Sequence, residues 1–214
     1  MRLPRLASLL VLAALALPSC AHYRARYDLL YIPDLAHAVA PKGVFEEAGV
    51  HIKWYPTENG FSFELKNHSK HSVRIFWEQS AYVDTTGTAH RVIHKGIRWS
   101  DINETEPPTV VPPGAYVDDM IIPGDHYQLK VTPYRYLFRV IPLLPTKASS
   151  ETQLESYGQK YTGATVSLLL PIEIDGKRRE YHFEFLVKTV WDLGRHVKLQ
   201  RTAQAAAPKA PAKP

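Results

Sequence analysis

The sequence predicts a mainly-β protein whose body is an antiparallel, two-layer β-sandwich. From about residue 49 onward apolar and polar residues alternate with a period of two, which is the pattern of strands that bury one face. Turn-forming pairs such as Asp-Gly and Pro-Gly separate the alternating runs. Long stretches with the 3.6-residue period of a helix are absent from the sequence, so we expect strands rather than helices.

The first predicted strand pair lies at residues 61–66 and 73–77. Residues 61–66 read FSFELK and alternate apolar with polar side chains, and VRIFW at 73–77 continues the pattern. The polar residues 67–70 between them have the length of a hairpin connection. We therefore expect these two runs to be neighbouring strands.

Turn residues predict two further hairpins. Residues 81–84 and 90–94 flank the sequence TTGT, whose glycine can adopt the positive φ of a tight connection. The clearer signal is Asp175-Gly176, which separates alternating runs at 166–174 and 181–187. Asp-Gly favours a type I′ turn because both central residues of that turn need positive φ.

The remaining predicted strands lie between proline-glycine turns. Turns at 112–114 and 123–124 flank an apolar run at 116–122, and two more runs follow at 127–131 and 136–141. Eight or nine short strands separated by turns resemble the immunoglobulin-like sandwich modules, which is the arrangement we expect first. The Cys-Trp-Cys spacing of antibody domains is missing, so the sequence leaves the strand topology open.

The first 19 residues have the three parts of a secretory signal peptide. Arg2 and Arg5 form the positive start, an apolar run occupies residues 7–17, and Pro18-Ser19 precede Cys20. The apolar run is about 11 residues long, whereas a helix that spans a bilayer needs roughly 20. The sequence therefore predicts a leader that is removed rather than a permanent transmembrane segment.

The cleavage region Leu17-Pro18-Ser19-Cys20 resembles the lipobox of bacterial lipoproteins, with Pro18 where that family more often has Ala, Ser or Thr. The resemblance implies that Cys20 becomes the N-terminus and carries acyl chains such as palmitate. Each buried CH₂ contributes about 0.8 kcal/mol, so two or more chains hold a protein stably on a membrane. In Gram-negative lipoproteins, Ala21 rather than Asp after the cysteine implies the outer membrane, and we expect the body to face the periplasm.

Cys20 is the only cysteine of the 214 residues, so an internal disulfide is excluded. The alternative to lipidation is ordinary cleavage after Ala21, because Ser19-Cys20-Ala21 also has the small-x-small pattern of a signal peptidase site. That cut would discard the cysteine and release a secreted protein.

The net charge of +5 does not indicate a nucleic-acid partner. Two of the 26 basic residues lie in the leader, and three lie in the tail after Gln200. The body between them holds 21 basic and 21 acidic residues and is formally neutral. A basic stripe for phosphates is therefore not predicted, and no nucleic-acid-binding motif accompanies it.

These patterns divide the chain into four predicted parts. Residues 1–19 are the leader, 20–48 the lipid anchor and tether, 49–200 the sandwich, and 201–214 a disordered tail rich in Ala, Pro and Lys. Within the tether, Asp34 is placed to cap a short helix that ends before the next proline. A flexible linker is the alternative for the tether, and a binding arm for an anionic envelope polymer is the alternative for the tail.

The ten histidines do not form a metal motif in the sequence. His90 and His94 share one strand face but are separated by roughly 13 Å at about 3.3 Å per residue, too far for one ion. His68 and His71 flank a turn, and we expect them to be solvated because no further ligand lies nearby in the sequence. No cofactor motif is present either, so neither a metal nor a cofactor is predicted.

Catalytic motifs are also absent from the sequence. The alternative to a binding protein is a hydrolase on a sandwich scaffold that acts on glycans through Asp118, Asp125, His126 or Glu173. Turn aspartates commonly bond their own backbone, and Glu173 is explained by cross-strand ion pairs, so structural roles are expected first. Only residues distant in sequence could assemble such a site.

The long connection from Lys95 to Gly114 is the predicted partner-binding loop, with Arg98, Trp99 and Asp101 as its candidate residues. The alternative is that Trp99 folds back onto the sandwich, since tryptophan is usually well buried. Residues 142–163 form a second long connection. Together these observations predict a non-enzymatic, lipid-anchored envelope protein that binds another envelope component.

Overall fold

A computed structural model describes residues 23–33, 44–97 and 104–200 of the chain. The strands are β1 (Tyr23–Ile32), β2 (Val44–Glu47), β3 (Val50–Thr57), β4 (Gly60–Asn67), β5 (Val73–Ile75), β6 (Ala81–Val83), β7 (Ala89–His94), β8 (Thr109–Val111), β9 (Tyr116–Pro123), β10 (Tyr127–Val131), β11 (Tyr136–Val140), β12 (Lys147–Ala148), β13 (Thr165–Ile174), β14 (Lys177–Asp192) and β15 (Val197–Leu199). Helix α1 (Glu151–Tyr161) and two single 3₁₀ turns, Trp77–Gln79 and Gly124–His126, complete the described elements. The mainly-β class predicted from the sequence is confirmed.

Most strands belong to one large, curled antiparallel sheet whose order is β12-β1-β14-β13-β6-β7-β9-β4-β3-β2. Strand β7 pairs with β6 through residues 89–91 and with β9 through residues 92–94, so it joins the two halves of the sheet. The halves face each other as in a sandwich. An immunoglobulin domain keeps two separate sheets, whereas here the two layers are continuous through β7.

The main core lies between the two layers and is unusually aromatic. Alternate residues of β14, namely Tyr181, Phe183 and Phe185, are buried, and the two phenylalanines contact Trp54 from β3. The ring centroids of Trp54 and Phe183 are 4.8 Å apart. Aromatic pairs of this kind add about 0.5–1.5 kcal/mol beyond their buried area, so they hold the two layers in one register.

The Asp175-Gly176 hairpin is confirmed in detail. Strands β13 and β14 pair from Thr165 opposite Leu186 to Ile174 opposite Lys177. Asp175 has φ of 53° and Gly176 has φ of 68°, which are the two left-handed residues of the type I′ turn. The predicted pairing of the strands at 81–83 and 89–94 is confirmed as well.

The predicted pairing of residues 61–66 with 73–77 is wrong. Both edges of β4 are occupied, by β3 and by β9, while β5 pairs with β13 and β8 in the other layer. The buried side chain of Asn67 holds the connection at this corner. Its amide donates to the carbonyls of His71 and Val111, at 2.8 and 2.9 Å, so the polar residues 67–70 turn the chain between layers instead of closing a hairpin.

The sandwich begins earlier in the chain than the predicted boundary at residue 49. Strand β1 lies within the large sheet between β12 and β14, and its register runs from Ala25 opposite Asp192 to Ile32 opposite Glu184. Tyr31 is buried in the main core, which explains the apolar run in a segment that we had assigned to a tether. The helix predicted after Asp34 lies outside the described residues.

Helix α1 lies within residues 142–163, for which the sequence pattern predicts a long connection without a helix. Ser150 caps its N-terminus by accepting from the backbone N–H of Gln153 at 3.1 Å, and the Gln153 side chain accepts from Ser149 in return. Leu154, Tyr157 and Tyr161 are buried at helical spacing. They cover a second, smaller core on β1, β14 and β15.

We predict that Gly158→Ala destabilises the fold although alanine is the better helix former. The gain in helix propensity is about 1 kcal/mol. The new Cβ, however, would lie 2.6 Å from the Leu199 Cβ and 3.2 Å from its backbone, which β15 holds against β14. We expect the free energy of unfolding in urea to fall by about 1–3 kcal/mol.

The control for this variant is Thr152→Ala, which changes an exposed residue of the same helix. It should leave the free energy of unfolding unchanged or raise it slightly, because alanine has a higher helix propensity than threonine and the exposed site has no close contact to lose. If Gly158→Ala unfolds at a higher urea concentration than the parent chain, the close contact between α1 and β15 is not as described.

Candidate functional site

Two histidines of β7 lie on the strand face that points into the sandwich. His90 and His94 flank Val92 at a spacing of two, and Val92 is fully buried in the main core. Each histidine lies in a polar cluster of its own, one at each end of the strand. The sequence argument that a single ion cannot be shared by His90 and His94 therefore agrees with their placement.

The first cluster consists of His90, Asp125 and His126. One ligand atom from each of these residues lies within 4.8 Å of the others, which makes them a group that could hold a metal ion. The Nδ1 atom of His90 is 2.8 Å from the Oδ2 atom of Asp125. The 3₁₀ turn Gly124–His126 at the end of β9 brings the last two residues to β7, with which it is in contact.

Hydrogen bonds fix the orientation of both imidazole rings. His126 Nδ1 lies 3.2 Å from the backbone oxygen of Ile141, and since a carbonyl only accepts, Nδ1 carries the proton and Nε2 keeps the lone pair. His90 Nδ1 donates in the same way to the Asp125 carboxylate. Its Nε2 atom is buried, 3.6 Å from Asp84 Oδ2, and has no hydrogen-bond partner among the described residues.

Tyr82 and Asp84 border the first cluster. Tyr82 is fully buried with its ring 5.5 Å from that of His90, and within the described part of the chain its hydroxyl has no partner. Burial, followed by the nearby charges of Asp84 and Asp125, raises the pKa of Tyr82, so the hydroxyl stays neutral. Burial opposes ionisation of Asp84, but hydrogen bonds from Thr86 and Thr88 lower its pKa overall.

The second cluster is built around His94 and Asp119. The His94 ring stacks on Trp77 at 4.3 Å with 12° between the planes, and its Nδ1 lies 2.9 Å from Asp119 Oδ2. The other oxygen of Asp119 accepts from the backbone N–H groups of Lys95 and Met120. All of these contacts are consistent with a structural role that holds the end of β7 against β9.

Glu106 is the exception in the second cluster, since it is only 5% exposed and neither carboxylate oxygen has a hydrogen-bond partner among the described residues. Its Oε2 lies 3.7 Å from His94 Nε2. Burial raises the pKa of Glu106, the charges of His94 and Arg91 oppose this, and Glu78 and Asp119 add to it. An ionised Glu106 is therefore held at a cost in stability.

We predict that Glu106→Gln stabilises the chain at neutral pH. A raised pKa means that the folded chain holds the Glu106 proton more tightly than the unfolded chain does. The stabilisation is therefore complete below the ordinary pKa and is lost as pH rises through the raised value. Removing the charge should raise the free energy of unfolding near pH 7, because the ionised carboxylate is no longer buried.

The measurement is urea unfolding at several pH values, in which the two curves should converge near pH 4 and below. Glu104→Gln serves as the control because Glu104 is an exposed neighbour. A Glu106→Gln chain that is less stable than the parent at pH 7 would show that the attraction between Glu106 and His94 outweighs the cost of burying the carboxylate.

The candidate residues from the sequence fall in different places. Arg98, Trp99 and Asp101, the predicted partner-binding residues, and Cys20, the predicted lipidation site, lie outside the described residues. His68 and His71 are exposed, as expected.

The four residues considered for a hydrolase do not form one group. Asp125 and His126 lie beside His90. No local pattern predicts this, because His90 precedes Asp125 by 35 residues on another strand. Asp118 is exposed on β9 opposite Glu64. Glu173 is on β13 in the other layer, where it accepts from Arg74 of β5 at 3.2 Å. This is a cross-strand ion pair, but its partner is on β5 and not among the basic residues of the β13–β14 hairpin.

A separate hairpin, β10–β11, begins directly after the first cluster. Its register places Tyr127 opposite Val140 and Leu129 opposite Phe138. These side chains share one face with Val131, and this face is apolar. Val131 is 65% exposed and Phe138 54%, while Tyr134 at the tip is 96% exposed.

The other face of the hairpin is basic. Lys130 and Arg139 lie on it, Arg135 follows at the tip, and residues 127–140 contain no acidic residue. At the base, the Ile141 N–H donates to the His126 carbonyl at 2.7 Å. The root of this amphipathic hairpin is thus joined to the histidine cluster.

Comparisons with known proteins do not show a family for the chain. No protein-family profile and no solved structure matches it. A stretch of 71 residues is 34% identical to part of a serine–tRNA ligase from Methanospirillum hungatei JF-1, which covers 33% of this chain. The chain corresponds to only 17% of the length of that ligase.

Among the helices in the described ranges, none combines the length and the apolar character needed to cross a membrane.

Proposed function

We propose that this chain is a lipid-anchored protein of the bacterial envelope that binds a protein partner through the β10–β11 hairpin and does not act as an enzyme. The observation that supports the binding role is the exposed apolar face of this hairpin. The lipobox-like sequence at Cys20 supports the anchor. The outer membrane, with the body on its periplasmic side, is the proposed location.

The anchor would hold the body close to the membrane. Tyr23, the first residue of β1, follows Cys20 by three residues, and an extended chain spans at most about 3.6 Å per residue. The start of β1 would then lie within about 11 Å of an acylated Cys20. A binding surface on such a body is presented at a nearly fixed height above the lipid.

The hairpin has the composition of a protein-binding surface. Tyrosine, phenylalanine and arginine are enriched in the centres of protein interfaces, and Tyr134, Phe138 and Arg135 supply them here. Two strands apart from the main sheet are marginally stable in water, so a partner that covers the apolar face would also stabilise the hairpin. The basic residues favour a partner whose apolar patch is bordered by acidic groups.

We predict that Cys20→Ser removes the anchor. Cells grown with labelled palmitate should incorporate it into the parent chain and not into this variant, and the variant should leave the membrane fraction because serine cannot be acylated through sulfur. Mass spectrometry of the parent chain is the direct check. An unmodified chain that begins at His22 would contradict the proposed anchor.

We predict that Val131→Ser combined with Phe138→Ser removes the partner contact. Crosslinking in intact cells should join the parent chain to a protein partner, and the double variant should lose most of this product because the apolar face is interrupted. The double variant should still fold, since both side chains are more than half exposed. Circular dichroism and a urea transition check this.

Val110→Ser is the matched control, because Val110 is 52% exposed on β8, outside the hairpin. A control that loses the crosslink as strongly as the double variant would contradict a specific role for the hairpin.

Vesicles containing anionic phospholipid provide the second test, with the Cys20→Ser chain. Binding that requires Val131 and Phe138 would assign the hairpin to the lipid surface instead of a protein.

A further inference from the structure

We propose that His90, Asp125 and His126 bind one divalent transition-metal ion of the zinc class, and that this ion fixes the root of the β10–β11 hairpin to strand β7. The inference does not depend on the proposed function. It rests on the chemistry of the three donor groups, on their distances, and on the hydrogen bonds that orient them.

The three groups supply a donor set that suits zinc. Two imidazoles and one carboxylate are the ligands of many zinc sites, with bonds of about 2.0–2.2 Å to each. Two donor atoms bound to one tetrahedral ion are then separated by about 3.3 Å. One ligand atom of each residue lies within 4.8 Å of the others, so the three groups must approach by at most about 1.5 Å to reach this spacing.

The hydrogen bond between His90 and Asp125 marks the place of the ion. The two facing atoms, Nδ1 and Oδ2, are 2.8 Å apart and share a proton, and a metal ion that binds both atoms replaces that proton as the two atoms move slightly apart. When the ion binds, His90 keeps the same charge if its proton moves from Nδ1 to Nε2. Asp84 Oδ2, 3.6 Å from Nε2, is in place to accept that proton in a hydrogen bond.

This arrangement gives each histidine an acceptor behind its ligating atom. His126 donates from Nδ1 to the Ile141 carbonyl, which leaves Nε2 as its ligand atom. His90 would ligate through Nδ1 and donate from Nε2 to Asp84. Metal-bound histidines almost always have such an outer partner, which fixes the tautomer and the ring orientation.

The buried polar atoms around the group favour an ion over a purely structural cluster. His90 Nε2 and the hydroxyl of the fully buried Tyr82 have no hydrogen-bond partners among the described residues. The Tyr82 ring faces both histidines, at 5.5 Å from His90 and 6.5 Å from His126. An ion bound at Nδ1 would give His90 Nε2 a use, because the His90 proton then lies on Nε2, which faces Asp84.

The position of the group in the chain gives the ion a structural effect. Asp125 and His126 immediately precede β10, and Ile141 immediately follows β11. The Ile141 N–H donates to the His126 carbonyl at 2.7 Å, so the hairpin begins and ends on a residue that binds or supports the ion. An ion bound by both His126 and His90 would link the hairpin to strand β7. It would therefore restrict movement of the hairpin relative to the sheet.

The test is a titration of the purified full-length chain with zinc by calorimetry, after treatment with a chelator. We expect one zinc ion per chain. We expect His90→Gln, Asp125→Asn and His126→Gln each to weaken the binding more than tenfold, since loss of even an outer partner costs 10–100-fold. Calcium and magnesium, which prefer oxygen ligands, should not bind measurably at this site.

The matched control is His51→Gln, because His51 also has a carboxylate 3.1 Å away, on Glu46, but is not part of the group of three. This variant should bind zinc as the parent does. Equal zinc affinity of the parent, His90→Gln and His126→Gln chains would overturn the proposal, and so would absence of binding to the parent.

Nuclear magnetic resonance of the unchanged chain keeps the test decisive if a variant does not fold. Zinc should shift the ¹⁵N resonances of His90 Nδ1 and His126 Nε2, and it should slow hydrogen exchange of the Ile141 amide. Zinc that shifts other histidines and leaves these two unchanged would contradict the site. Because neither measurement involves a partner or a membrane, this result stands apart from the outcome of the crosslinking experiment.

Discussion

The pairing of β7 with two different strands is the constraint on which the rest of the structure depends. Residues 89–91 bond to β6 in one layer and residues 92–94 bond to β9 in the other, so a six-residue strand closes the sandwich along one side. The inward-facing side chains of β7 fill the space where the strand passes from one layer to the other. Val92 does so with apolar surface, while His90 and His94 do so with polar groups that need partners, and the partners come from the segments that β7 holds together.

Local chemistry predicted the hairpins but not the neighbours of each strand. The Asp175-Gly176 turn was predictable because two adjacent residues with positive φ admit few other structures. The pairing of residues 61–66 with 73–77 was predicted wrongly because alternation marks a strand without naming its partner. Strand β1 was misplaced for a related reason, since its partner β14 lies more than 150 residues away along the chain.

The histidine group shows the same limit for a site. The sequence places Asp125 and His126 beside a Pro-Gly turn and His90 on an alternating strand, and each position alone has an ordinary structural explanation. Their meeting depends on the pairing of β7 with β9, which places Pro123 opposite Val92. Helix α1 differs, because its capping residues Ser150 and Gln153 are adjacent to the helix in the sequence and mark its start. Its apolar positions Leu154, Tyr157 and Tyr161 are few, so the helical period is weak.

The fold also explains how one end of the chain can be held while the other surface remains free. Strand β1 is bonded along its length to β14 and at its start to β12, so a pull on the residues before Tyr23 is carried by a ladder of hydrogen bonds rather than by a loop. The β10–β11 hairpin has no such support from the main sheet and depends on its root, where Ile141 bonds to His126. Under the proposed function, β1 carries the attachment to the membrane, and the hairpin, whose strands lie outside the main sheet, contacts the partner. An ion at His126 would act on the β10–β11 hairpin, whose two strands lie outside the main sheet.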